Sequence, residues 1–142
     1  MNQNMLGIVV TEFSSDISEA MLTAALDEAA VLGAEIVTVS HVRGAYEIPL
    51  ITEELLTNAN ITSVVVLGFI EKGETLHGEV MAHTVSSALL NSSVNNGKAI
   101  GYGLIGPGAS LEQANYRKES YARAAVQAAV ASTGVLQKIR KR

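Results

Sequence analysis

Four short apolar runs alternate along the chain with longer segments whose apolar residues recur at helical spacing. The short runs cover residues 6–10, 35–39, 63–68 and 99–104, and their length and β-branched content are typical of strands. The longer segments cover residues 17–32, 47–58, 76–90 and 111–136. Because the strands are apolar throughout and alternate with helices, we expect a parallel sheet buried on both faces. The pattern therefore predicts an α/β fold, a flavodoxin-like three-layer α/β/α sandwich with a four-stranded parallel sheet.

Turn and cap residues mark the ends of these helices. Asp16 or Ser15 is placed to cap the first helix, and Gly33 is placed to stop it. Pro49 falls in the first turn of the second helix, where proline is tolerated. Gly134 is expected to weaken the end of the last helix.

The last helix is rich in small residues, namely Ala122, Ala124, Ala125, Ala128, Ala129 and Ala131. Small side chains let a helix approach its neighbour closely. They would serve either a helix–helix interface between subunits or packing within the chain, and the sequence leaves both open.

Composition narrows the class of protein. The 142 residues are 48% hydrophobic, which indicates one globular domain over residues 1–142. Because the chain has no Cys, we expect a reducing compartment, the cytoplasm. No apolar stretch is long enough for a membrane span, and residues 1–4 do not resemble a signal peptide. The net charge of −4 argues against a nucleic-acid partner, and the basic residues at 138–142 are interpreted as a solvated helix end.

The stretch Gly73-Glu74-Thr75-Leu76-His77-Gly78-Glu79 carries the strongest chemical signal. It joins the third strand to the third helix, at the edge of an α/β sheet where ligands bind. The amino end of a helix attracts anions, and an imidazole transfers protons near neutral pH. We therefore expect an enzyme site for a small phosphorylated substrate, with His77 as its catalytic residue.

Two other loops are expected to open on the same edge. The stretch Arg43-Gly44-Ala45-Tyr46-Glu47 follows the second strand, and it is either a turn that needs Gly or part of a binding site. Phe13 follows the first strand. Its ring would either stack on a planar ligand or serve as a hydrophobic staple for the first helix.

Two remaining patterns are given structural interpretations. The stretch Gly101-Tyr102-Gly103-Leu104-Ile105-Gly106 has dinucleotide-fingerprint spacing, but it lies partly inside a strand and lacks the acidic residue that should follow. We expect instead a tight loop at Gly106-Pro107-Gly108, with Ser110 as the cap of the last helix. His83 lies six residues after His77, so the two rings point in different directions. No metal site is predicted, and His83 is interpreted as a packing residue.

Considered together, the loops resemble one family, the 6,7-dimethyl-8-ribityllumazine synthases. The resemblance rests on four stretches, which follow the order of the family and cover nearly the whole chain. They are Ile8-Val9-Val10-Thr11-Glu12-Phe13, Gly44-Ala45-Tyr46-Glu47-Ile48-Pro49-Leu50, Leu67-Gly68 with Gly73-Glu74-Thr75-Leu76-His77, and Glu112-Gln113-Ala114-Asn115-Tyr116-Arg117. The short length and Gly106-Pro107-Gly108 resemble the archaeal branch.

This resemblance implies a condensation in riboflavin biosynthesis. The substrates would be 5-amino-6-ribitylaminouracil and 3,4-dihydroxy-2-butanone 4-phosphate, and the products 6,7-dimethyl-8-ribityllumazine, phosphate and water. An amine would attack the ketone to form an imine, phosphate would leave, and the second amine would close the ring. No cofactor or metal is implied, because positioning and proton transfer suffice.

The resemblance also implies which residues bind the ribityl pyrimidine. Phe13 would stack on the pyrimidine, and Phe69 and Ile70 would hold its ring through backbone groups. The ribityl chain would be held by residues of the second loop, namely Gly44, Ala45, Tyr46 and Glu47.

The phosphate and the protons would be handled by the third loop and by a second subunit. Gly73, Glu74 and Thr75 would cradle the phosphate, and His77 would shuttle protons. Tyr102 and Arg117 would come from a neighbouring subunit, Tyr102 towards the pyrimidine and Arg117 towards the phosphate. Members of this family form pentamers, and some form icosahedral shells of pentamers.

The chain departs from the family pattern in two places. Gly78-Glu79 follow His77 where Phe-Asp is common, and the usual Asn-Lys-Gly-x-Glu segment of the last helix is missing. Arg123 is a candidate for its base, but only Gln127 follows where an acid is expected. The alternative is therefore a catalytically weak or inactive cage, or a flavin-binding shell, of the same family. An archaeal riboflavin synthase and a flavodoxin-like binding module explain fewer of these loops.

Overall fold

The computed structural model describes residues 3–141 as a four-stranded parallel sheet between two pairs of helices. The strands are β1 (Met5–Thr11), β2 (Glu35–Val42), β3 (Ser63–Glu71) and β4 (Ala99–Ala109). The helices are α1 (Ser15–Val31), α2 (Ile48–Leu56), α3 (His77–Asn96) and α4 (Leu111–Arg140), and a 3₁₀ turn at Ala45–Glu47 precedes α2. The strand order is β2-β1-β3-β4, and every neighbouring pair is parallel. The predicted flavodoxin-like three-layer sandwich is confirmed.

Alternation of side chains along the strands divides the core into two layers. Leu6, Ile8 and Val10 of β1 pack with α1 and α4, whereas Val9 packs with α2 and α3. The first eight residues of β3 are buried. The expectation of burial on both faces is wrong for β2, an edge strand in which only the last residue, Val42, is buried and the others are exposed or half-buried.

Several helix ends differ from the prediction. The N-cap of α1 is Ser14, in a left-handed conformation without a side-chain cap bond, and not Asp16 or Ser15. Gly33 follows the end of α1 at φ 71°, as a stop residue should. Helix α4 continues through Gly134 to Arg140, because the contacts of its buried face outweigh the low helix propensity of one Gly.

The predicted tight loop at Gly106-Pro107-Gly108 is instead an irregular part of β4. Ile105 pairs with Phe69 and Ala109 pairs with Glu71, so β4 carries two more residues than β3 over this interval. The extra residues form a bulge, and Gly106 adopts φ 118° there. A Cβ atom at Gly106 would lie 2.5 Å from the carbonyl oxygen of Ile70. Ser110 caps α4 as predicted, in a capping box with Gln113.

Close packing of α4 on β4 explains the glycine spacing that resembles a dinucleotide fingerprint. A Cβ atom at Gly101 would overlap the carbonyl oxygen of Ala125, and one at Gly103 would lie 3.1 Å from Ala125 Cβ. Ala122, Ala125 and Ala129 are buried in this contact, so intrachain packing is confirmed for three of the six Ala residues. The other three, Ala124, Ala128 and Ala131, are exposed.

No helix within residues 3–141 is both long enough and apolar enough to cross a membrane.

Replacing Gly101 by Ala should lower the free energy of unfolding by about 2 kcal/mol or more, because α4 must move away from β4. Gly134→Ala is the matched control, since nothing lies within 4 Å of its added Cβ atom. That control should raise stability by up to about 1 kcal/mol, the helix-propensity difference. Urea unfolding measures both, and equal effects of the two substitutions would contradict the packing account.

Candidate active site

A cavity of about 460 Å³ opens at the carboxyl ends of β1, β2 and β3. Three loops supply most of its wall, which consists of Thr11, Phe13, Arg43, Gly44, Ala45, Tyr46, Glu47, Phe69, Ile70, Glu71, Gly73, Thr75, His77, Gly78 and Met81. The structure therefore brings together the loops that were expected to share one edge of the sheet. A volume of this size suits a small organic ligand.

The β1–α1 connection contributes an aromatic ring to the cavity. Phe13 is 53% exposed, although it lies in the turn directly after a buried strand. Thr11, the last residue of β1, is buried beneath the same wall. The exposed ring of Phe13 is available to a planar ligand.

The β2–α2 connection contributes both apolar and charged groups. Gly44 is extended, and the 3₁₀ turn Ala45–Glu47 follows it directly. Ala45 is buried, whereas Tyr46 is 47% exposed at the cavity. Glu47 supplies a carboxylate that can accept hydrogen bonds from hydroxyl groups.

The end of β3 contributes two buried residues to the cavity wall, because both of its last apolar side chains belong to the core. Phe69 packs with α1 and α4, Ile70 packs with α2 and α3, and each is 3% exposed. Both residues border the cavity and form a closely packed, largely apolar part of its wall.

His77 is the first residue of α3, in the position predicted for it. Its backbone N–H donates to Thr75 Oγ1 at 3.3 Å. The ring of Tyr46 meets the ring of His77 edge to face, with 6.2 Å between centroids and 69° between planes. The imidazole is thus exposed at the cavity wall, where it can reach a bound molecule.

The loop before α3 separates the large cavity from a smaller one of about 320 Å³. Glu71, Gly73, Thr75 and Gly78 border both cavities, whereas Glu74 borders only the smaller. Gly108 of the β4 bulge completes the far side of the smaller cavity. Within the described residues, the predicted phosphate-binding residues therefore face two adjoining spaces.

Two of the predicted site residues, Tyr102 and Arg117, do not line either cavity in the single chain. The hydroxyl groups of Tyr102 and Ser86 are 2.6 Å apart, on β4 and α3. Arg117 is exposed on α4, which covers the opposite face of the sheet from α3.

Arg123 and Gln127 of α4 stand where the usual Asn-Lys-Gly-x-Glu segment is missing, and both bind to α1. Arg123 Nη1 lies 3.3 Å from Glu28 Oε1, and Gln127 Nε2 donates to Glu28 Oε2 at 2.9 Å. These contacts hold two helices of the same layer together. Neither Arg123 nor Gln127 lines the cavity, so within one chain they do not supply the charges that the missing segment would carry.

The interpretation of His83 as a packing residue is wrong. Its side chain is 73% exposed, and its nearest charged group is Glu79, 3.8 Å away and one helical turn earlier. Among residues 3–141, no group of three or more His, Cys, Asp or Glu side chains is placed to hold a metal ion.

The groups with a shifted pKa lie outside the cavity. Hydrogen bonds from Asn96 and Ser92 lower the pKa of Glu53, which is on the surface of α2. Desolvation lowers the pKa of Lys98, at the amino end of β4.

Five residues of the cavity wall had no role assigned from the sequence, namely Thr11, Arg43, Glu71, Gly78 and Met81. Arg43 and Thr11 lie inside stretches that the sequence analysis singles out for the site. The sequence alone does not indicate which side chains of these stretches border the cavity. The reason for a Gly at position 78 is visible only in the folded chain, because a Cβ atom there would lie 3.2 Å from the carbonyl oxygen of Glu71.

The chain is similar to a set of named proteins over most of its length. The family model described as 6,7-dimethyl-8-ribityllumazine synthase matches residues 3–137. The protein of that name from Metallosphaera sedula is 46% identical over 125 residues, which are 88% of this chain and 83% of the relative. The protein from Pyrobaculum arsenaticum is 44% identical, over 88% of this chain and 83% of the relative. The protein from Sulfolobus acidocaldarius is 43% identical, over 96% of this chain and 86% of the relative.

The match spans β1 to α4 and includes every loop that borders the cavity. The chain therefore belongs to the 6,7-dimethyl-8-ribityllumazine synthase family.

Proposed function

We propose that this protein condenses 5-amino-6-ribitylaminouracil with 3,4-dihydroxy-2-butanone 4-phosphate to 6,7-dimethyl-8-ribityllumazine, a step of riboflavin biosynthesis. The observation that carries the proposal is the cavity in which Phe13, Tyr46 and His77 meet in a member of this family. The reaction releases phosphate and water. It needs no redox step, so positioning and proton transfer account for the chemistry.

The ribityl pyrimidine would occupy the part of the cavity between Phe13 and the 3₁₀ turn. Phe13 would stack on the pyrimidine, and peptide groups of Phe69 and Ile70, which border the cavity, would hydrogen-bond to the edge of its ring. Gly44, Ala45, Tyr46 and Glu47 would hold the ribityl chain, with the Glu47 carboxylate accepting from its hydroxyl groups.

The butanone phosphate would bind at the amino end of α3. Gly73, Glu74 and Thr75 precede this helix, whose first N–H groups have no partner within the helix. Glu74 would contribute through its backbone, because its carboxylate repels phosphate. The reactive carbon atoms would then lie near His77, which is two residues after Thr75.

His77 would carry protons between the steps of the condensation. The amine adds to the ketone, and loss of water from the adduct requires a proton at the departing hydroxyl group. Elimination of phosphate next requires removal of a proton from the carbon skeleton. The imidazole can take that proton and return it during ring closure.

The active assembly would be a pentamer whose sites lie between subunits, either alone or within a larger shell. Support comes from the single chain itself, because Arg117 is exposed on α4 and outside the cavity. Brought by a neighbour, its guanidinium would pair with the phosphate in a two-pronged contact, and Tyr102 would approach the pyrimidine. A measurement of the native mass would distinguish a pentamer of 14.9 kDa chains from a shell of many pentamers.

An inactive cage or flavin-binding shell is the second candidate, favoured by the absence of the usual acidic segment in α4. The open cavity and the presence of His77 and Thr75 in it favour the enzyme. A cytoplasmic location is part of the proposal, and a chain without Cys suits that reducing compartment.

The wild-type protein should form the fluorescent lumazine when the two substrates are mixed, and His77→Ala should lower kcat by roughly 10²- to 10⁴-fold. His83→Ala is the matched control, because that imidazole lies on the same helix but outside the cavity. It should keep wild-type turnover. An inactive wild-type protein would favour the cage, and a fully active His77→Ala variant would exclude the proton-transfer role.

Arg117→Ala should raise KM for the butanone phosphate roughly ten-fold, since a charge-assisted contact to phosphate is lost. The KM for the ribityl pyrimidine should change much less. Lys138→Ala removes another exposed cation from α4 and should leave both constants unchanged. Equal effects of the two substitutions would mean that Arg117 acts only through net charge.

A further inference from the structure

Two buried hydroxyl groups form a chain beneath the cavity, from the end of β1 to the backbone of Phe13. The Oγ atoms of Thr11 and Ser18 are 3.2 Å apart, and Ser18 Oγ donates to the carbonyl oxygen of Phe13 at 3.0 Å. Thr11 is 2% exposed and Ser18 is fully buried. Such buried polar contacts are costly to break, because the groups cannot turn to water instead.

The direction of these hydrogen bonds follows from the number of hydrogen atoms. A carbonyl oxygen only accepts, so the single hydrogen of the Ser18 hydroxyl is committed to Phe13. Thr11 must therefore be the donor to Ser18. Each hydroxyl in the chain thus orients the next, and the chain ends on the residue that carries the exposed aromatic ring.

Phe13 depends on this backbone contact because its side chain is largely outside the core. Phe13 is 53% exposed, and the next residue, Ser14, has φ 54°, a conformation that is unfavourable for a residue with a side chain. On the other side, the backbone N–H of Glu12 donates to Val42 at 2.7 Å. The turn is therefore held at both ends, by β2 at Glu12 and by α1 at Phe13.

The neighbouring strand leaves room for this arrangement. A Cβ atom at Gly68 of β3 would lie 2.6 Å from Thr11 Oγ1. Gly68 thus allows the Thr11 side chain to lie over β3 and still reach Ser18 on α1. Three elements of the fold meet at this hydroxyl chain.

We propose that Thr11 and Ser18 are positioning residues that fix the ring of Phe13 at the angle needed to stack on the pyrimidine substrate. The inference rests on the proposed function. Neither hydroxyl takes part in the chemistry. Their effect reaches the substrate through Phe13 and bears on recognition of the pyrimidine, not on the phosphate.

Ser18→Ala and Thr11→Val test this inference by separate measurement of KM for each substrate. Both variants should raise KM for the ribityl pyrimidine roughly five-fold, the factor expected for one lost hydrogen bond. The KM for the butanone phosphate and kcat should change less than about two-fold. Thr11→Ser retains the donor and should restore the wild-type value, and it keeps the test open if Thr11→Val does not fold.

Thr133→Val is the matched control for loss of a buried hydroxyl. Thr133 is 5% exposed and donates to Ala129 within α4, away from the cavity. Its substitution should lower the melting temperature without changing either KM. A change in KM for the pyrimidine as large as that of Thr11→Val would show that general destabilisation is the cause, and would overturn the inference.

A double-mutant cycle with Phe13→Ala decides whether the hydroxyl groups act through the ring. In the Phe13→Ala background, Ser18→Ala should have no further effect on KM for the pyrimidine. Additive effects would overturn the inference. Wild-type protein that forms no lumazine would instead remove the proposed function, so the two failures are distinguishable.

Discussion

The parallel pairing of β1 with both β2 and β3 is the constraint on which the site depends. The chain passes from β1 to β2 on one side and later returns to place β3 on the other side. The connections that leave β1 and β3 therefore diverge, and α1 and α3 cover opposite faces of the sheet. A crevice opens at such a point in α/β proteins, and the cavity lies there, between Phe13, Tyr46 and His77.

Close approach of the layers makes this arrangement possible, and particular glycines permit it. Gly101 and Gly103 let α4 lie against β4, and Gly68 lets Thr11 lie over β3. The first contact joins α4 to β4, neither of which borders the large cavity, whereas the second lies directly beneath that cavity. A larger residue in place of Gly101 or Gly68 would displace the backbone around it. The same sheet therefore supports both the fold and the turn that carries Phe13.

The sequence predicts much of this, and its failures have physical causes. Hydrophobic periodicity predicts all eight main elements, because strand and helix bury apolar residues with different periods. It does not predict that Gly106-Pro107-Gly108 continues β4, since pairing with Glu71 is a long-range contact. Nor does it place His83 outside the core, because one polar residue between apolar positions has no periodic signal of its own. The loops of the site are predictable as a set, but the inward direction of Arg43 and Thr11 requires the fold.

We propose that one chain presents only part of the site and that Arg117 of a second copy completes it. Mixing His77→Ala and Arg117→Ala subunits, after dissociation and reassembly, tests this most directly. In a head-to-tail ring with shared sites, about one quarter of the sites in an equal mixture would combine an intact His77 with an intact Arg117. With shared sites, kcat/KM should recover to about that fraction of the wild-type value. Activity no greater than the average of the two separate variants would contradict it.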